Sequence, residues 1–372
     1  MAGYLENGAS PEVTVALTAT GSEHGADIPT KAALAAASRG VRVKLIGGAN
    51  CNHPNVEVIP ASDDAEAHKI LEGLLDSGTA HAGVTMHYPF PIGVSTVGRI
   101  VTPAEGRPMY IACTTGTSST DRVEAMVKNA VCGIAAAKAC GNAAPTIGIL
   151  NLDGARATET ALKKMAANGY SIAFAESGRA DGGSVMRGND LLTGACDVMV
   201  TDALTGNILM KTFSSYTTGG NYEALGWGYG PGFGQGFGRL VMIVSRASGV
   251  PVIANAIEYA AELVRGGWKE VLAKEIASAR AAGLDTVAAR RADAPAKSEG
   301  ASVEVTAPPK EVVTEEILGI EIMDLEDAVR ALWQGGIYAE SGMGCTGPVV
   351  LIPEAKLEDA MSILKKNEFV GD

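Results

Sequence analysis

The chain has 372 residues, of which 47% are apolar, so it can bury a sizeable core and is long enough for two or three domains. Its formal net charge of −12 argues against a nucleic-acid groove or binding to an anionic membrane surface. The polar, glycine-rich N-terminus does not have the pattern of a signal peptide, and no apolar run approaches the length of a membrane span. We therefore expect a cytoplasmic protein.

The first part of the chain alternates between short apolar segments and longer amphipathic ones. Strands are predicted at 13–20, 41–48 and 81–86, with helices at 28–40 and 63–78 between them. The middle of the chain repeats this alternation, with predicted strands at 107–114, 146–152, 171–177 and 196–202 and predicted helices at 118–141, 157–169 and 207–217. Such alternation predicts an α/β fold built from βαβ units around a mostly parallel sheet.

Residues 219–238 break the pattern, because nine of the twenty are glycine and five are aromatic. This glycine density predicts a loop without regular structure. Two interpretations stay open: a loop that contacts a partner or closes over a cleft, and an ordered segment whose rings pack on the body. The segment does not follow a strand and open a helix, so it is not a dinucleotide-binding fingerprint.

The C-terminal part is predicted to be separate. A helix at 267–284 precedes a stretch rich in Ala, Pro, Ser, Lys and Glu that has the composition of a linker. After it, Leu325, Ala328, Val329 and Leu332 share one face of a predicted helix. The predicted organisation is an α/β domain at 1–289, a linker at 290–316 and a small α+β segment at 317–372.

The first candidate site is the stretch 201–212, predicted to be a strand, a turn and the start of a helix. Free backbone N–H groups at the helix start, together with polar side chains and a lysine, would make a site of phosphate size. Gly206 would let the backbone approach the ligand. The residues are Thr205, Gly206, Asn207 and Lys211. An ordinary βα turn is the alternative interpretation.

Three further stretches place polar and small residues after predicted strands, which is where open α/β sheets bind ligands. They are 84–96 with Thr85 and His87, 112–122 with Thr115 and Ser118, and 149–160 with Asn151 and Asp153. Four such strand ends favour one shared cleft. A structural role for His87 is the alternative.

The six cysteines show no CxxC or secreted-scaffold spacing, and with the five histidines they form no metal-binding pattern. We expect reduced thiols, no metal and no cofactor. Four of them lie in apolar segments and are predicted core residues: Cys113, Cys132, Cys140 and Cys196. Cys345 differs, because glycines flank it in "ESGMGCTGPVVLIP" (340–353). Such a thiol can be exposed enough to attack or to be acylated.

Three stretches resemble the phosphate acyltransferase of phospholipid synthesis (the PlsX type). They are "VALTATGSEHGADIPTKAALAAASRGVRVKLIGG", "PTIGILNLDGARATE" and "DVMVTDALTGNILMKT", the last being the most specific. That family resembles in turn the phosphotransacetylases and the isocitrate-dehydrogenase-like fold. The resemblance implies a two-lobed α/β/α protein, often dimeric, whose interlobe cleft holds phosphate and an acyl thioester.

The ending "YAESGMGCTGPVVLIPEAKLEDAMSILKK" is similar instead to the alpha subunit of component C of the glycine/sarcosine/betaine reductase complex. So are "MHYPFPIGVSTVGRIVTP" and "CTTGTSSTDRVEAMVKNAVCGIAAAKACG". The resemblance implies a complex of anaerobic amino-acid fermentation. In that complex the selenoprotein component A passes a two-carbon group to component C, which holds it as an acetyl thioester until phosphate releases acetyl phosphate. It implies Cys345 as the thioester cysteine, phosphate as co-substrate, and a beta subunit and further copies of the chain as partners.

Other functions stay open at this stage. A true PlsX enzyme would move long acyl groups from acyl carrier protein and would not need Cys345. A non-catalytic scaffold subunit would only organise the complex. A metal- and NAD-dependent dehydrogenase of related fold would need clustered aspartates, which the sequence lacks. His87 and His24 are candidates for the base that activates phosphate, and the segment 219–238 is the candidate contact with the beta subunit.

Overall fold

The computed structural model describes residues 12–178, 182–286, 305–320, 324–344, 347–367 and 369–370. The chain divides into two compact units, Met1–Leu150 with Met165–Asp285, and Asn151–Lys164 with Thr286–Asp372. Within the described ranges, no helix is long and apolar enough to cross a membrane.

The first unit is built on a large sheet. Its strands are β1 (Thr14–Thr18), β2 (Arg42–Ile46), β3 (Val56–Ile59), β4 (Ala82–Thr85), β5 (Val94–Val101), β6 (Pro108–Ala112), β7 (Thr146–Leu150), β8 (Ala173–Phe174), β9 (Val185–Met186), β10 (Val198–Val200), β11 (Gly230–Gly234) and β12 (Val241–Ile243). Its helices are α1 (Asp27–Ser38), α2 (Asp64–Asp76), α3 (Arg122–Ala139), α5 (Gly188–Thr193), α6 (Ala203–Ser215), α7 (Val250–Arg265) and α8 (Trp268–Ala281). A further helix, α4 (Ala155–Ala167), starts in residues of the second unit.

The sheet has the strand order β3-β2-β1-β4-β12-β11-β5-β6-β10-β7-β8, and β9 also pairs with β7. Pairing is parallel from β3 to β12 and again from β6 to β8. The three central pairings, β12 with β11, β11 with β5 and β5 with β6, are antiparallel. The predicted α/β class with a mostly parallel sheet is confirmed. Because the central pairings are antiparallel, the two halves of the sheet run in opposite directions.

Helices cover both faces of this sheet. Gly133 of α3 packs so closely on one face that a β-carbon there would lie 3.0 Å from the Ala112 side chain of β6. On the other face, a β-carbon at Gly98 of β5 would lie 2.8 Å from the sulfur of Met210 on α6. Val97 pairs with Ala112, so its neighbour Gly98 points to the opposite side. The arrangement is therefore three-layered.

The prediction that 219–238 lacks regular structure is wrong, because β11 lies in its centre and is fully buried between β12 and β5. Glycine is what permits this. A β-carbon at Gly230 would lie 1.7 Å from the carbonyl oxygen of Val97. The rings of Tyr229 and Phe233 are buried, as the ordered-segment interpretation requires.

Two helix starts also differ from prediction. Helix α6 begins at Ala203, so the predicted turn before residue 207 is in fact the first turn of the helix. Helix α3 begins at Arg122 and not at residue 118, and its cap is Asp121, which accepts from the N–H of Glu124. The caps of the two helices are Asp202 for α6 and Asp121 for α3. Both have extended backbone, and aspartate in this conformation is favoured at the position before a helix.

The second unit carries the strands β13 (Glu315–Leu318), β14 (Glu340–Gly344) and β15 (Gly347–Ile352) and the helices α9 (Leu325–Gln334) and α10 (Leu357–Lys366). The strands form an antiparallel sheet in the order β13-β15-β14. The predicted apolar face of α9 is confirmed, because all four of its residues are buried in one core with residues of β15 and α10. Of the predicted linker, residues 290–304 lie outside the described residues, 305–314 form no helix or strand, and β13 begins at 315.

Candidate functional site

A polar cavity of about 290 Å³ opens in the first unit. It forms where segments that follow strands from both halves of the sheet come together. Its lining comes from the segments after β1, β4, β6 and β12, from α6 and from the residue before β11. The lining residues are Glu23, Met86, His87, Tyr88, Thr115, Asn207, Lys211, Tyr229, Ile243, Val244, Ser245 and Arg246.

His87 reaches the cavity from the segment after β4. Beneath it, the buried Thr85 hydroxyl donates to the carbonyl oxygen of His87 (3.3 Å) and contacts Nε2 of His68 (3.0 Å). On the other side, the Tyr88 hydroxyl donates to Glu72 (2.8 Å) and accepts from Arg239 (3.1 Å). The backbone that carries the imidazole is therefore held at the carbonyl of His87 itself and through the side chain of its neighbour Tyr88.

Thr115 enters from the loop after β6. The buried Thr96 hydroxyl accepts from the N–H groups of Thr115 (2.8 Å) and Gly116 (3.2 Å). The Thr114 hydroxyl donates to the carbonyl oxygen of Tyr229 (2.6 Å), which ties this loop to the start of β11. A side chain of β5 thus fixes the turn that exposes Thr115 to the cavity.

Asn207 and Lys211 are one turn apart on α6 and so project from the same helix face. The Nζ of Lys211 donates to the hydroxyl of Tyr229 (3.3 Å). Two of the backbone N–H groups that the sequence suggested for an anion, those of Thr205 and Gly206, are already engaged within the helix start. The N–H of Thr205 donates to the capping carboxylate of Asp202 (2.8 Å), and the N–H of Gly206 donates to the Asp202 carbonyl oxygen.

Ser245 and Arg246 lie just after β12 and were not predicted from the sequence. The segment that carries Arg246 is held against the segment after β1, because the N–H of Glu23 donates to the carbonyl oxygen of Arg246 (3.0 Å). The signal was present: an apolar run, "RLVMIV", ends in a polar "SRAS" and is followed by a helix. Arg246 gives the cavity a second cation beside Lys211.

The cavity wall also has a phenol that stays protonated. Burial, together with the nearby carboxylate of Glu223, raises the pKa of Tyr229 far above its ordinary value. Lys211 and Arg246 are positively charged hydrogen-bond donors, whereas the Tyr229 hydroxyl donates its proton to Glu223. Glu23 is the one carboxylate among the lining residues. This lining suits a small anion bound beside an ionisable imidazole.

The predicted site residues separate into groups. His87, Thr115, Asn207 and Lys211 lie together in the cavity. Four others do not line it: Thr85 is buried beneath His87, the N–H of Thr205 donates to Asp202, Gly206 packs on the loop after β6, and Ser118 donates to Asn129 and lines another pocket. Asn151 and Asp153 belong to the second unit. Cys345 lies outside the described residues, between the end of β14 and the start of β15 in sequence.

The four cysteines that were predicted to be core residues are buried or partly buried. Cys113, Cys132 and Cys196 are buried, and Cys140 is partly buried. Burial raises the pKa of Cys132, Cys140 and Cys196 to about 12. These three thiols are therefore protonated at neutral pH and are poor nucleophiles.

Comparison with known proteins gives a consistent result. A family model described as "Fatty acid synthesis protein" matches residues 13–351. The glycine/sarcosine/betaine reductase complex component C subunit alpha of Peptoclostridium acidaminophilum is 58% identical over 368 residues, which is 98% of this chain and 95% of that protein. The chain belongs to the family of component C alpha subunits. That family is itself PlsX-like.

More distant relatives match parts of this chain. A phosphate acyltransferase of Fervidobacterium nodosum is 35% identical over 97 residues, 26% of this chain and 28% of that protein. Among solved structures, a branched-chain phosphotransacylase from Enterococcus faecalis V583 aligns with 68% of this chain and 99% of its own length. Its TM-score is 0.48 and its sequence identity 17%.

Proposed function

We propose that this chain transfers an acetyl group from a thioester to inorganic phosphate, as the alpha subunit of component C in a cytoplasmic reductase complex of an anaerobic amino-acid fermenter. The component C alpha subunit that is 58% identical supports a role in such a complex. The phosphate acyltransferase relative supports acyl transfer to phosphate as the class of reaction. The observation that carries the proposal is the cavity lining, which combines Lys211, Arg246, Asn207 and His87 around a volume of phosphate and acetyl size.

The reaction needs no change in oxidation state. A phosphate oxygen attacks the thioester carbonyl, and the tetrahedral intermediate collapses with cleavage of the C–S bond. The products are acetyl phosphate and a thiol, which receives the proton that phosphate gives up. Lys211 and Arg246 would hold the phosphate charge, and His87 would move the proton. The Asn207 amide would donate to the oxyanion that develops on the carbonyl.

We propose Cys345 as the residue that carries the acetyl group. The support is its sequence setting, with Gly342 and Gly344 before it and Gly347 after it, and the family to which the chain belongs. The three raised cysteine pKa values support it indirectly, because Cys132, Cys140 and Cys196 are unsuited to the role. The partners in this proposal are a beta subunit, a selenoprotein component A that supplies the two-carbon group, and a second copy of this chain.

The reverse reaction tests the proposal directly. The full chain, purified with its complex, is incubated with acetyl phosphate, and peptides are analysed by mass spectrometry. We expect one acetyl group on Cys345, none after Cys345→Ser, and labelling slowed at least about tenfold by Lys211→Met. Cys51→Ser is the matched control and should label normally, because Cys51 is only partly buried and lies elsewhere in the first unit.

Two results would overturn the proposal. Acetyl phosphate formation at the wild-type rate by the Cys345→Ser variant would remove Cys345 from the reaction. A wild-type chain that neither accepts acetyl nor binds phosphate would leave a scaffold role, and turnover of long acyl thioesters in its place would indicate a PlsX-type enzyme.

A further inference from the structure

We propose that Glu223 and Tyr229 form a buried relay that holds the Lys211 ammonium in place at the cavity. Both are positioning residues: they act on the bound anion through Lys211. The relay comes from the glycine-rich segment 219–238, whose role in the site the sequence did not reveal. The inference rests on the proposed function, because it takes inorganic phosphate as the anion that Lys211 binds.

The relay begins at a carboxylate that is hardly accessible to solvent. Glu223 is 4% exposed, and each of its oxygens accepts a hydrogen bond. The Tyr229 hydroxyl donates to Oε1 (2.8 Å), and the Ser248 hydroxyl donates to Oε2 (2.8 Å). A buried carboxylate is costly unless it is paired in this way, so its geometry is strongly constrained.

Tyr229 passes this constraint on to Lys211. A phenol has one proton, and here it is directed at Glu223, so the oxygen lone pairs remain for another donor. Nζ of Lys211 is that donor, at 3.3 Å, and it also lies 5.4 Å from the centre of the Tyr229 ring. The raised pKa of Tyr229 agrees with this direction of donation. A lysine side chain is otherwise flexible, so a fixed acceptor reduces the freedom that it loses when it binds an anion.

The backbone of the relay residues is tied to two other walls of the cavity. The N–H of Glu223 donates to Ala247 (3.0 Å), and its carbonyl oxygen accepts from Gly249 (2.8 Å), next to the segment that carries Arg246. The carbonyl oxygen of Tyr229 accepts from Thr114, the neighbour of Thr115. The relay therefore holds Lys211 in register with the other groups of the cavity.

A double-mutant cycle tests whether Tyr229 acts through Lys211. The variants Tyr229→Phe, Lys211→Met and the double variant are prepared as full chains. The dissociation constant of inorganic phosphate is obtained from the dependence of Tm on phosphate concentration at constant ionic strength. We expect each single variant to bind phosphate about tenfold more weakly and Tyr229→Phe to add less than about twofold in the Lys211→Met background.

Two further variants test whether the effect on phosphate binding is specific to the relay. Glu223→Gln removes the charge and keeps the shape, and we expect it to weaken phosphate binding in the same direction as Tyr229→Phe. Tyr216→Phe is the matched control, because Tyr216 is exposed and comes directly after the helix that carries Lys211. It should bind phosphate as the wild type does. Full additivity of Tyr229→Phe with Lys211→Met, or no effect of Tyr229→Phe, would overturn the relay.

A second measurement separates the relay from the proposed function. Trace acetic anhydride, without phosphate, labels lysine amines, and mass spectrometry gives the rate at Lys211 relative to exposed Lys269. We expect Tyr229→Phe to raise that ratio several-fold, because the amine loses its fixed acceptor. A raised ratio in a chain whose wild type binds no phosphate would sustain the relay and reject the proposed function. An unchanged ratio would reject the relay alone.

Discussion

Gly206 of α6 packs directly against Cys113, the first residue after β6. A β-carbon at Gly206 would lie 1.8 Å from the carbonyl oxygen of Cys113 and 2.8 Å from Oγ1 of Thr201. The same carbonyl oxygen accepts a hydrogen bond from Thr201 (2.9 Å). This contact sets the distance between the helix that carries Lys211 and the loop that carries Thr115. The glycine is therefore required by this packing.

Replacing this glycine should separate the helix from the loop. We expect Gly206→Ala to lower the free energy of unfolding by about 3 kcal/mol, because neither the carbonyl nor the helix backbone can move away cheaply. Urea unfolding measures the change. Gly73→Ala in α2 is the control, since a β-carbon there meets nothing within 4 Å. It should be neutral or stabilise by up to about 1 kcal/mol. Equal effects of the two changes would contradict the packing argument.

The outer parts of the fold could be predicted because their residues are locally decisive. In β2 the apolar residues Val43, Leu45 and Ile46 are buried and Arg42 is exposed, and the four-residue apolar face of α9 is buried as predicted. The centre could not be predicted. β11 consists of glycine, proline and phenylalanine, and its conformation is set by strands that are distant in sequence. Local propensity reads such a segment as a loop, and tertiary packing overrides it.

The site shows the same division. His87, Thr115, Asn207 and Lys211 could be predicted because each follows a recognisable strand end or lies on a helix beside one. Tyr229 and Arg246 were missed, because they flank β11 and β12, two strands that were not predicted; for Arg246 the signal was present but was not used. The engagement of the Thr205 N–H was missed for a different reason. Asp202 looked like the end of a strand, but it caps the helix and takes the N–H of Thr205.

Arg246 provides a test of the part of the site that the sequence did not predict. If phosphate binds between two cations, Arg246→Met should raise the KM for phosphate by about 10- to 100-fold, because a hydrogen bond between two charged groups is lost. The KM for the acyl substrate should change less. Steady-state kinetics of acetyl phosphate formation measures both. Arg265→Met, at the exposed end of α7, should leave both constants unchanged. Equal increases in the two KM values would indicate general damage to the site.

Arg99 should contribute strongly to stability although it does not line the cavity. Its guanidinium lies 4.2 Å from the centre of the Trp227 ring and 4.5 Å from that of Tyr259, and it donates to Glu262 (2.7 Å). A lysine cannot stack in this way, so Arg99→Lys should lower the free energy of unfolding by about 2–3 kcal/mol. Urea unfolding of Arg39→Lys is the comparison. Arg39 is exposed and pairs with Glu258, so Arg39→Lys should lower the free energy of unfolding by less than about 1 kcal/mol. A similar loss in both variants would refute the prediction.

Asp197 should make stability depend on pH in the acid range. Burial alone would raise its pKa, but the N–H and hydroxyl of Thr146 and the guanidinium of Arg107 donate to the carboxylate and lower the pKa overall. A lowered pKa in the folded state means that the stabilisation is complete above the unfolded-state value of about 3.9 and is lost as the pH falls through the lower folded-state value.

The variant Asp197→Asn should therefore be about 2 kcal/mol less stable than the wild type at pH 7, since three donors lose a charged acceptor. The difference should persist to about pH 4 and shrink as the pH falls further, when the wild-type carboxylate is protonated. Urea unfolding of both proteins, followed from about pH 3 to about pH 7 so that the range includes the unfolded-state pKa of about 3.9, measures this difference. Asp285→Asn, which removes an exposed partner of Arg280, should change stability by less than about 1 kcal/mol at every pH. A difference for Asp197→Asn that stays constant through the acid range would show that the lost stability comes from packing and not from the ionised carboxylate.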